Sequence, residues 1–408
     1  MVIYNSVFQE GRNEMIEDSD DSDETSDVSM SSDSDTSDSG SDEDEDPTAF
    51  GREDNGEEDD LVLAIEHSRK LHREHPPAIP TEEFVVNVCF HPEEEIIALA
   101  NVEGDILLYK YDNEENTLMT TIEVHEKACR DVQFSGKGDA IFSVSKDKSV
   151  AITDVASGKL ERIYEKAHEC PIYTTTIINE NVFATGDDDG TIKIWDLRQR
   201  GPNPIFSVKE NGDYISSMIT NDDGKYLVCA SGDGVLTTLN IPARKLHVQS
   251  EEYDDEFTSL GLFKGNTKIL TASNTGKMYV FNWGEFGFHS DEFPNSTKKA
   301  INCIIPITDN VVITGGEDGL LRAYSLFPHR RLGIVGQHDY SIETLDISND
   351  GTLIASSSHD NIVKFWNVKY FETLNVEEPI KGGKQKQMKH NLPSSKVSNA
   401  ADFFADLE

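Results

Sequence analysis

A short motif recurs seven times along this chain of 408 residues, at nearly constant spacing. Each copy consists of a tight turn followed by a run in which apolar residues alternate with polar ones, as they do in β-strands. The third turn positions lie 42 to 44 residues apart and are Gly104, Lys148, Gly190, Gly234, Gly276, Gly319 and Asn361. A period in the low forties, with four strand-like runs in each unit, predicts an all-β fold: a single seven-bladed propeller.

Four kinds of side chain recur around these turns. An acidic residue precedes the third turn position in six units, and Ser or Thr stands four residues before it in most of them. A large side chain follows five residues after the third position, most clearly Trp195 and Trp366, and His125, His168 and His338 stand upstream of three units. A buried His and Asp each need partners, and an indole N–H donates only once, so a hydrogen-bonded chain of the four satisfies them all. We therefore interpret these histidines as structural.

This arrangement resembles the hydrogen-bond tetrad of the WD40-repeat family. The resemblance implies two complete structural tetrads, which are His168, Thr185, Asp189 and Trp195, and His338, Ser356, Asp360 and Trp366. The other blades keep only part of the set; the second, for example, has Thr153 where Trp is expected.

The N-terminal residues differ sharply in composition from the repeats. Residues 10–60 hold 23 Asp and Glu against only Arg12 and Arg52, in a chain whose formal net charge is −40. Such a segment buries too little apolar surface to offset its chain entropy, so we expect residues 1–60 to be a disordered acidic arm. Its serines with an Asp three residues downstream are candidate phosphorylation sites for an acid-directed kinase; they are Ser32, Ser39 and Ser41.

Two further segments flank the predicted propeller, which we place at residues 81–372. Residues 61–80 are expected to form a short helix, at about 61–74, and a linker. Residues 373–408 are expected to form a flexible basic tail that ends in an apolar motif. Because paired phenylalanines are unusual in a polar tail, that motif is a candidate partner-docking site; it is Asp402, Phe403 and Phe404.

Chemical motifs of the common enzyme classes are absent from the sequence, which contains no phosphate-binding Gly-rich loop, zinc-protease pair or serine-hydrolase elbow. We therefore predict a protein that is not an enzyme and has no cofactor, metal or small-molecule substrate. The five cysteines form no Cys-x-x-Cys pair and no apolar run is long enough to span a membrane, so we expect reduced thiols in a soluble intracellular protein. Direct nucleic-acid binding is not expected either, because residues 61–408 are also acidic.

Several more specific stretches resemble one family of nucleolar propellers, the WD repeat-containing protein 55 family. They are residues 181–198, Phe281-Asn282-Trp283 with Phe286-Gly287, and Asp402-Phe403-Phe404. The resemblance covers about residues 84–370 and the last few residues. It implies a scaffold in the nucleus and nucleolus that supports ribosomal RNA production and ribosome biogenesis, with ribosome-assembly factors as partners. Whether the protein also resides in the cytoplasm is left open.

Two other functions remain open at this point. The sequence Trp195-Asp196-Leu197-Arg198 resembles the motif by which substrate receptors dock on the adaptor of cullin–RING ubiquitin ligases, with Arg198 as the docking residue. Alternatively, the acidic arm would attract basic clients such as ribosomal proteins or histones, which is the behaviour of an acidic chaperone.

Overall fold

The structure is a computed structural model that describes residues 74–294 and 298–372. Its 28 strands form seven four-stranded antiparallel sheets, and the only helical element among the described residues is a 3-10 turn at Lys369–Phe371. This confirms the predicted all-β, seven-bladed propeller. The predicted arm, the helix up to residue 73 and the basic tail lie outside the described residues.

Within each blade we name the four strands a to d, from the axis of the ring to its rim. The strands of blades 1 to 3 are β2 (Val85–Phe90), β3 (Ile96–Asn101), β4 (Asp105–Lys110), β5 (Thr117–Glu123), β6 (Cys129–Phe134), β7 (Ala140–Ser145), β8 (Val150–Asp154), β9 (Leu160–Tyr164), β10 (Ile172–Asn179), β11 (Val182–Asp187), β12 (Thr191–Asp196) and β13 (Phe206–Lys209). Those of blades 4 and 5 are β14 (Ile215–Thr220), β15 (Tyr226–Ser231), β16 (Leu236–Asn240), β17 (Lys245–Gln249), β18 (Phe257–Phe263), β19 (Lys268–Ser273), β20 (Met278–Asn282) and β21 (Glu285–Phe293). Those of blades 6 and 7 are β22 (Ile301–Pro306), β23 (Val311–Gly316), β24 (Leu320–Ser325), β25 (Arg330–Gln337), β26 (Ile342–Ile347), β27 (Leu353–Ser358), β28 (Ile362–Asn367) and β1 (Ile79–Pro80).

Burial follows the position of each strand in its blade. Strand b is buried along its whole length, as in β3, because both faces of the sheet pack against neighbouring blades. Strand d lies at the rim and is mostly exposed, as in β5. The core is therefore a set of interfaces between blades: one cluster, for example, joins Leu108 of blade 1 to Val132 and Phe134 of blade 2.

The turns that revealed the repeat connect strands b and c. All seven third positions have positive φ, from 56° at Asn361 to 111° at Gly104, and even Lys148 adopts 74°. The third turn position therefore needs a left-handed backbone. At Gly190 a side chain would also meet the carbonyl oxygen of Asn211 at 2.5 Å from its Cβ, so that turn has a second reason for glycine.

Polar side chains join the inner strands of neighbouring blades. Asp346 of blade 7 accepts a hydrogen bond from the backbone N–H of Phe90 in blade 1, at 2.6 Å. Asp131 of blade 2 accepts one from the N–H of Thr175 in blade 3, at 2.7 Å. Inner strands of different blades do not pair with one another, so these carboxylates satisfy backbone donors that would otherwise have no partner. Burial, opposed by these hydrogen bonds, raises the pKa of each carboxyl group to about 6.

The ring is closed by β1, which serves as strand d of blade 7. Ile79 pairs with Val363 and Pro80 with Ile362, antiparallel. Side chains on either side of the junction hold the preceding residues: Asn116 donates to the carbonyl of Pro77 at 2.6 Å, and Asn367 donates to that of Glu74 at 2.8 Å. The start of the described chain is thereby joined to the last blade.

Candidate functional site

The b–c turns and the d–a connections between blades lie at the same end of the ring, which we call the b–c face. In blade 7 the structure brings together the four residues predicted for its tetrad. His338 Nδ1 lies 2.7 Å from Asp360 Oδ2, and its Nε2 lies 2.7 Å from Ser356 Oγ. Trp366 Nε1 donates to the same hydroxyl at 2.8 Å. Strand b, strand c, the b–c turn and the d–a connection are thus fixed to one another at this face.

Blade 3 forms the same network, but with a different aspartate from the one predicted. His168 Nε2 contacts Thr185 Oγ1 at 2.7 Å, and Trp195 Nε1 donates to that oxygen at 2.8 Å. The partner of His168 Nδ1 is Asp187 Oδ2, at 2.9 Å. Asp189, the residue predicted for this place, instead is half exposed and forms an ion pair with Lys209.

The reason for this correction is the residue that ends strand b. In blades 2 and 7 it is a serine, too short to reach the histidine, so the aspartate of the turn does so: Asp147 in blade 2 and Asp360 in blade 7. In blade 3 the strand ends in Asp187, whose second oxygen also accepts from the backbone N–H groups of Asp189 and Thr191. One carboxylate, that of Asp187, therefore both binds the histidine and accepts the hydrogen bonds of the turn. The sequence signal was the run of three aspartates at 187–189, since the other blades lack an aspartate at the end of strand b.

The surroundings of His168 and His338 favour the neutral form of each imidazole. Burial lowers the pKa of His168 and of His338, although their aspartate partners act in the opposite direction. Burial raises the pKa of Asp187, but the hydrogen bond from His168 and those from the turn outweigh it, so that this pKa is below its usual value. The carboxylate and the hydroxyl engage both nitrogens of each imidazole, and His168 and His338 are only 2% and 1% exposed, so these rings join parts of the fold to one another.

Blade 2 has a version of the network without tryptophan. His125 Nε2 contacts Ser143 Oγ at 2.9 Å, and its Nδ1 lies 3.2 Å from Asp147 Oδ2. Thr153, at the tryptophan position, is fully buried and its hydroxyl has no hydrogen-bond partner in the described part of the chain. Both ring nitrogens of His125 are therefore bonded, and what blade 2 lacks is the indole that donates to the serine or threonine hydroxyl in blades 3 and 7.

A row of aromatic and basic side chains crosses the b–c face between blades 2 and 4. Arg130 binds Asp188 at 2.5 Å from Nη1 to Oδ1, and its guanidinium lies 5.5 Å from the centre of the Tyr173 ring. The Tyr173 ring is in turn 5.1 Å from that of Tyr214. Sequence reasoning missed this row because its members are about one repeat apart. Aromatic and arginine side chains that are held in place on a surface are the residues that dominate protein interfaces.

The same face continues around blades 7 and 1. The rings of Phe84 and His359 stack at 4.3 Å between centroids, and His359 Nε2 lies 3.0 Å from Glu343. That bond raises the pKa of His359 against the effect of burial. Tyr340, in the d–a connection before blade 7, has 63% of its surface exposed. The b–c face is therefore held by these contacts and carries the exposed aromatic ring of Tyr340.

Arg198 lies at the opposite end of the ring, in the c–d connection of blade 3. Its side chain is 68% exposed, and its Nε and Nη2 lie 2.9 and 2.7 Å from the two carboxylate oxygens of Asp196. These hydrogen bonds lower the pKa of Asp196 to about 2. The guanidinium is thus oriented by a neighbour and open to solvent. The remaining candidate residues lie outside the described residues; they are Ser32, Ser39, Ser41, Asp402, Phe403 and Phe404.

Within residues 74–294 and 298–372, no three His, Cys, Asp or Glu side chains come together as metal ligands would. The five cysteines are all free thiols, and three of them, Cys129, Cys229 and Cys303, are buried. Nor does this part of the chain contain a helix long and apolar enough to cross a membrane.

Comparison with known proteins identifies close relatives. The model of the WDR55 family matches residues 76–371. The WD repeat-containing protein 55 homolog of Aedes aegypti is 50% identical over 351 residues, which cover 86% of this chain and 74% of the relative. The homologs of Drosophila erecta and Drosophila melanogaster are 50% and 49% identical over 359 residues, which cover 88% of this chain and 72% of each relative.

Proposed function

Because this chain belongs to the WDR55 family of WD-repeat propellers, we propose that it is a non-enzymatic scaffold of the nucleolus that supports ribosomal RNA production and ribosome biogenesis. Its fold is that of a protein-binding propeller. The nucleolar role rests on the sequence resemblance described above, and its partners would be ribosome-assembly factors.

The b–c face is the surface that best fits this role. The tetrads of blades 3 and 7 use their polar groups inside the fold, so their effect on function is mechanical: they hold the turns and connections of that face in one arrangement. A surface that is already ordered loses little conformational entropy when a partner binds. The row of Arg130, Tyr173 and Tyr214 and the exposed Tyr340 supply the aromatic and cationic contacts.

The first experiment follows the tagged full chain in cells. We expect it to concentrate in nucleoli, to co-purify with ribosome-assembly factors, and on depletion to change the level of precursor ribosomal RNA. A uniformly cytoplasmic protein whose loss leaves the precursors unchanged would refute the proposal.

Two aromatic substitutions test the face itself. Tyr340→Ala removes an exposed ring of the b–c face, whereas Phe288→Ala removes one that is 69% exposed on the outer strand of blade 5. Truncating a central interface aromatic commonly weakens binding by about tenfold or more. We expect Tyr340→Ala, and not Phe288→Ala, to reduce recovery of the assembly factors. Equal recovery with both variants would exclude Tyr340 as a contact.

The geometry of Arg198 favours a second candidate function, docking on the adaptor of a cullin–RING ligase. A planar guanidinium that is oriented and exposed is suited to bidentate contacts with a partner. We expect Arg198→Ala to abolish capture of the adaptor by the full chain without lowering its melting temperature. Arg331→Ala, an exposed arginine on the rim of blade 6, is the matched control. If the unsubstituted protein does not capture the adaptor, this function is excluded.

A further inference from the structure

A cleft of about 510 Å³ opens between blades 1 and 7, at the end of the ring opposite the b–c face. Its walls come from the a–b loops of the two blades, from the c–d connection of blade 1, and from the residues that enter and leave the ring. Apolar groups contribute to the lining, among them Tyr111, Pro76 and Leu353. The Tyr111 ring is buried and packs edge-on against Phe90, 5.3 Å away, so this part of the wall is rigid.

The lining is strongly acidic. It contains one cation, Lys369, and six carboxylates, which are Glu74, Glu93, Glu94, Glu95, Asp112 and Asp350. In the part of the chain that the structure describes, no lysine, arginine or histidine lies within ion-pair distance of any of the six. Like charges gathered around a concave surface repel one another, and the concavity strengthens their field.

The phenol of Tyr111 lies in the field of these carboxylates. Burial, together with the negative charges of Asp350, Glu95 and Asp346, raises the pKa of its phenol to about 12. The phenol thus resists ionisation inside the cleft. The negative charges of Asp350 and Glu95 would stabilise a positively charged group beside them, whereas burial of such a group would oppose this.

The described chain both starts and ends beside this cleft. Glu74 lines it, as does Lys369 in the short 3-10 turn that follows the last blade. Beyond Glu372 the chain continues for 36 residues, and its stretch from Pro379 to Ala401 contains five lysines and no acidic residue. Lys381 is nine positions beyond Glu372, and an extended chain of that length spans roughly 30 Å. The lysines are therefore within reach of the carboxylates.

We propose that the lysine-rich segment of residues 381–389 binds in the acidic cleft between blades 1 and 7 of its own chain. The segment carries Lys381, Lys384, Lys386 and Lys389, separated by Gly, Gln and Met that allow it to follow a curved wall. A connection of only eight residues between Glu372 and Lys381 would keep such a segment at an effective concentration of roughly millimolar near its site, so weak individual ion pairs suffice. A basic segment of another protein would have to displace it. The cleft is thereby a regulated site, separate from the b–c face of the proposed function.

The direct test is zero-length carbodiimide cross-linking of the full chain at low ionic strength, followed by mass spectrometry. The reagent joins a lysine to a carboxylate only when they are in contact. We expect cross-links from Lys381, Lys384 and Lys386 to Glu93, Glu94 or Glu95, and none to Glu161 and Glu165, which are exposed in and just after the outer strand of blade 2. Tail lysines that react equally with both groups of glutamates would overturn the proposal.

Removal of charge provides the second measurement. In the triple variant Glu93→Gln/Glu94→Gln/Glu95→Gln, trypsin should cleave the tail lysines faster, whereas Glu161→Gln/Glu165→Gln should leave the rate unchanged. An exposed ion pair is worth about a factor of two in an equilibrium, so four of them give roughly tenfold protection at low salt, and less at high salt. An unchanged rate in the triple variant would contradict the proposal, and circular dichroism would verify that both variants are folded.

A mixture of isotopically heavy and light full chains identifies the source of the tail. Cross-links within one chain support binding in cis. Cross-links between heavy and light chains would show that the tail of a second copy occupies the cleft, and would overturn the proposal in this form.

Discussion

Replacement of Asp187 by alanine tests the tetrad of blade 3 most directly. The substitution removes the 2.9 Å bond to His168, which is 2% exposed, and the bonds from the N–H groups of Asp189 and Thr191. Each buried polar group left without a partner costs about 1–3 kcal/mol. Water can reach the two backbone groups of the turn, so the imidazole dominates and we expect a loss of about 3 kcal/mol in the free energy of unfolding.

Asp189→Ala is the matched control for this substitution. Asp189 lies two residues away, bears the same charge and is about half exposed, and its ion pair with Lys209 is a surface pair. Such pairs contribute about 0.2–1 kcal/mol. For a domain of this size about 2 °C of melting temperature corresponds to 1 kcal/mol, so we expect a fall of about 6 °C for Asp187→Ala and of at most about 2 °C for Asp189→Ala.

Thermal unfolding monitored by circular dichroism between pH 5 and 8 checks both the size and the pH dependence. The pKa of His168 is lower in the folded protein than its usual value of 6.5, so the unfolded chain takes up the proton first as pH falls. The stabilisation from the neutral imidazole is therefore complete above pH 6.5 and is lost on acidification below it. Equal losses for the two alanine variants would refute the assignment of Asp187.

Three further outcomes are expected. Thr153→Val should raise the free energy of unfolding by about 1 kcal/mol, because it removes a buried hydroxyl without a partner at nearly constant volume; a lower melting temperature would show that the hydroxyl is bonded. Asp131→Asn should stabilise the protein at pH 7.5 but not at pH 4. The folded pKa of about 6 exceeds the usual 3.8, so the stability contributed by this group falls as pH rises through that window. Urea unfolding at the two pH values measures the effect, and a destabilised variant at pH 7.5 would contradict the prediction. Deletion of residues 1–60 should leave the melting temperature unchanged and weaken binding to histones or basic ribosomal proteins, most strongly at low salt. Unchanged binding at low salt would exclude the chaperone function of the arm.

The sequence predicts those features that depend on neighbouring positions in the chain. The seven turns need positive φ at one residue each, a local requirement that leaves a Gly, Asn or tolerated Lys at regular spacing. The tetrad of blade 7 was predictable for the same reason, because Ser356, Asp360 and Trp366 lie on two adjacent strands and their turn. These predictions follow from short-range geometry.

What escaped prediction depends on side-chain reach and on closure of the ring. The choice between Asp187 and Asp189 is decided by which carboxylate points inward at the end of strand b, and a periodic pattern does not carry that information. The cleft combines Glu95 with Asp350, residues far apart in sequence that become neighbours only because blade 7 meets blade 1. The predictions for the arm and the tail stay predictions, since those segments lie outside the described residues.

The junction between β1 and β28 closes the ring through a very short pair of strands. Bringing residues 79 and 363 together costs about 5 kcal/mol in chain entropy, and the junction has only two paired residues in each strand. It is therefore the place where the ring should first open, converting a closed ring into an arc with a free edge at β28. Because Glu74 and Pro76 line the cleft opposite Asp350 and Leu353, whatever binds there holds both sides of the junction, and its affinity for the closed ring adds directly to the free energy needed to open it.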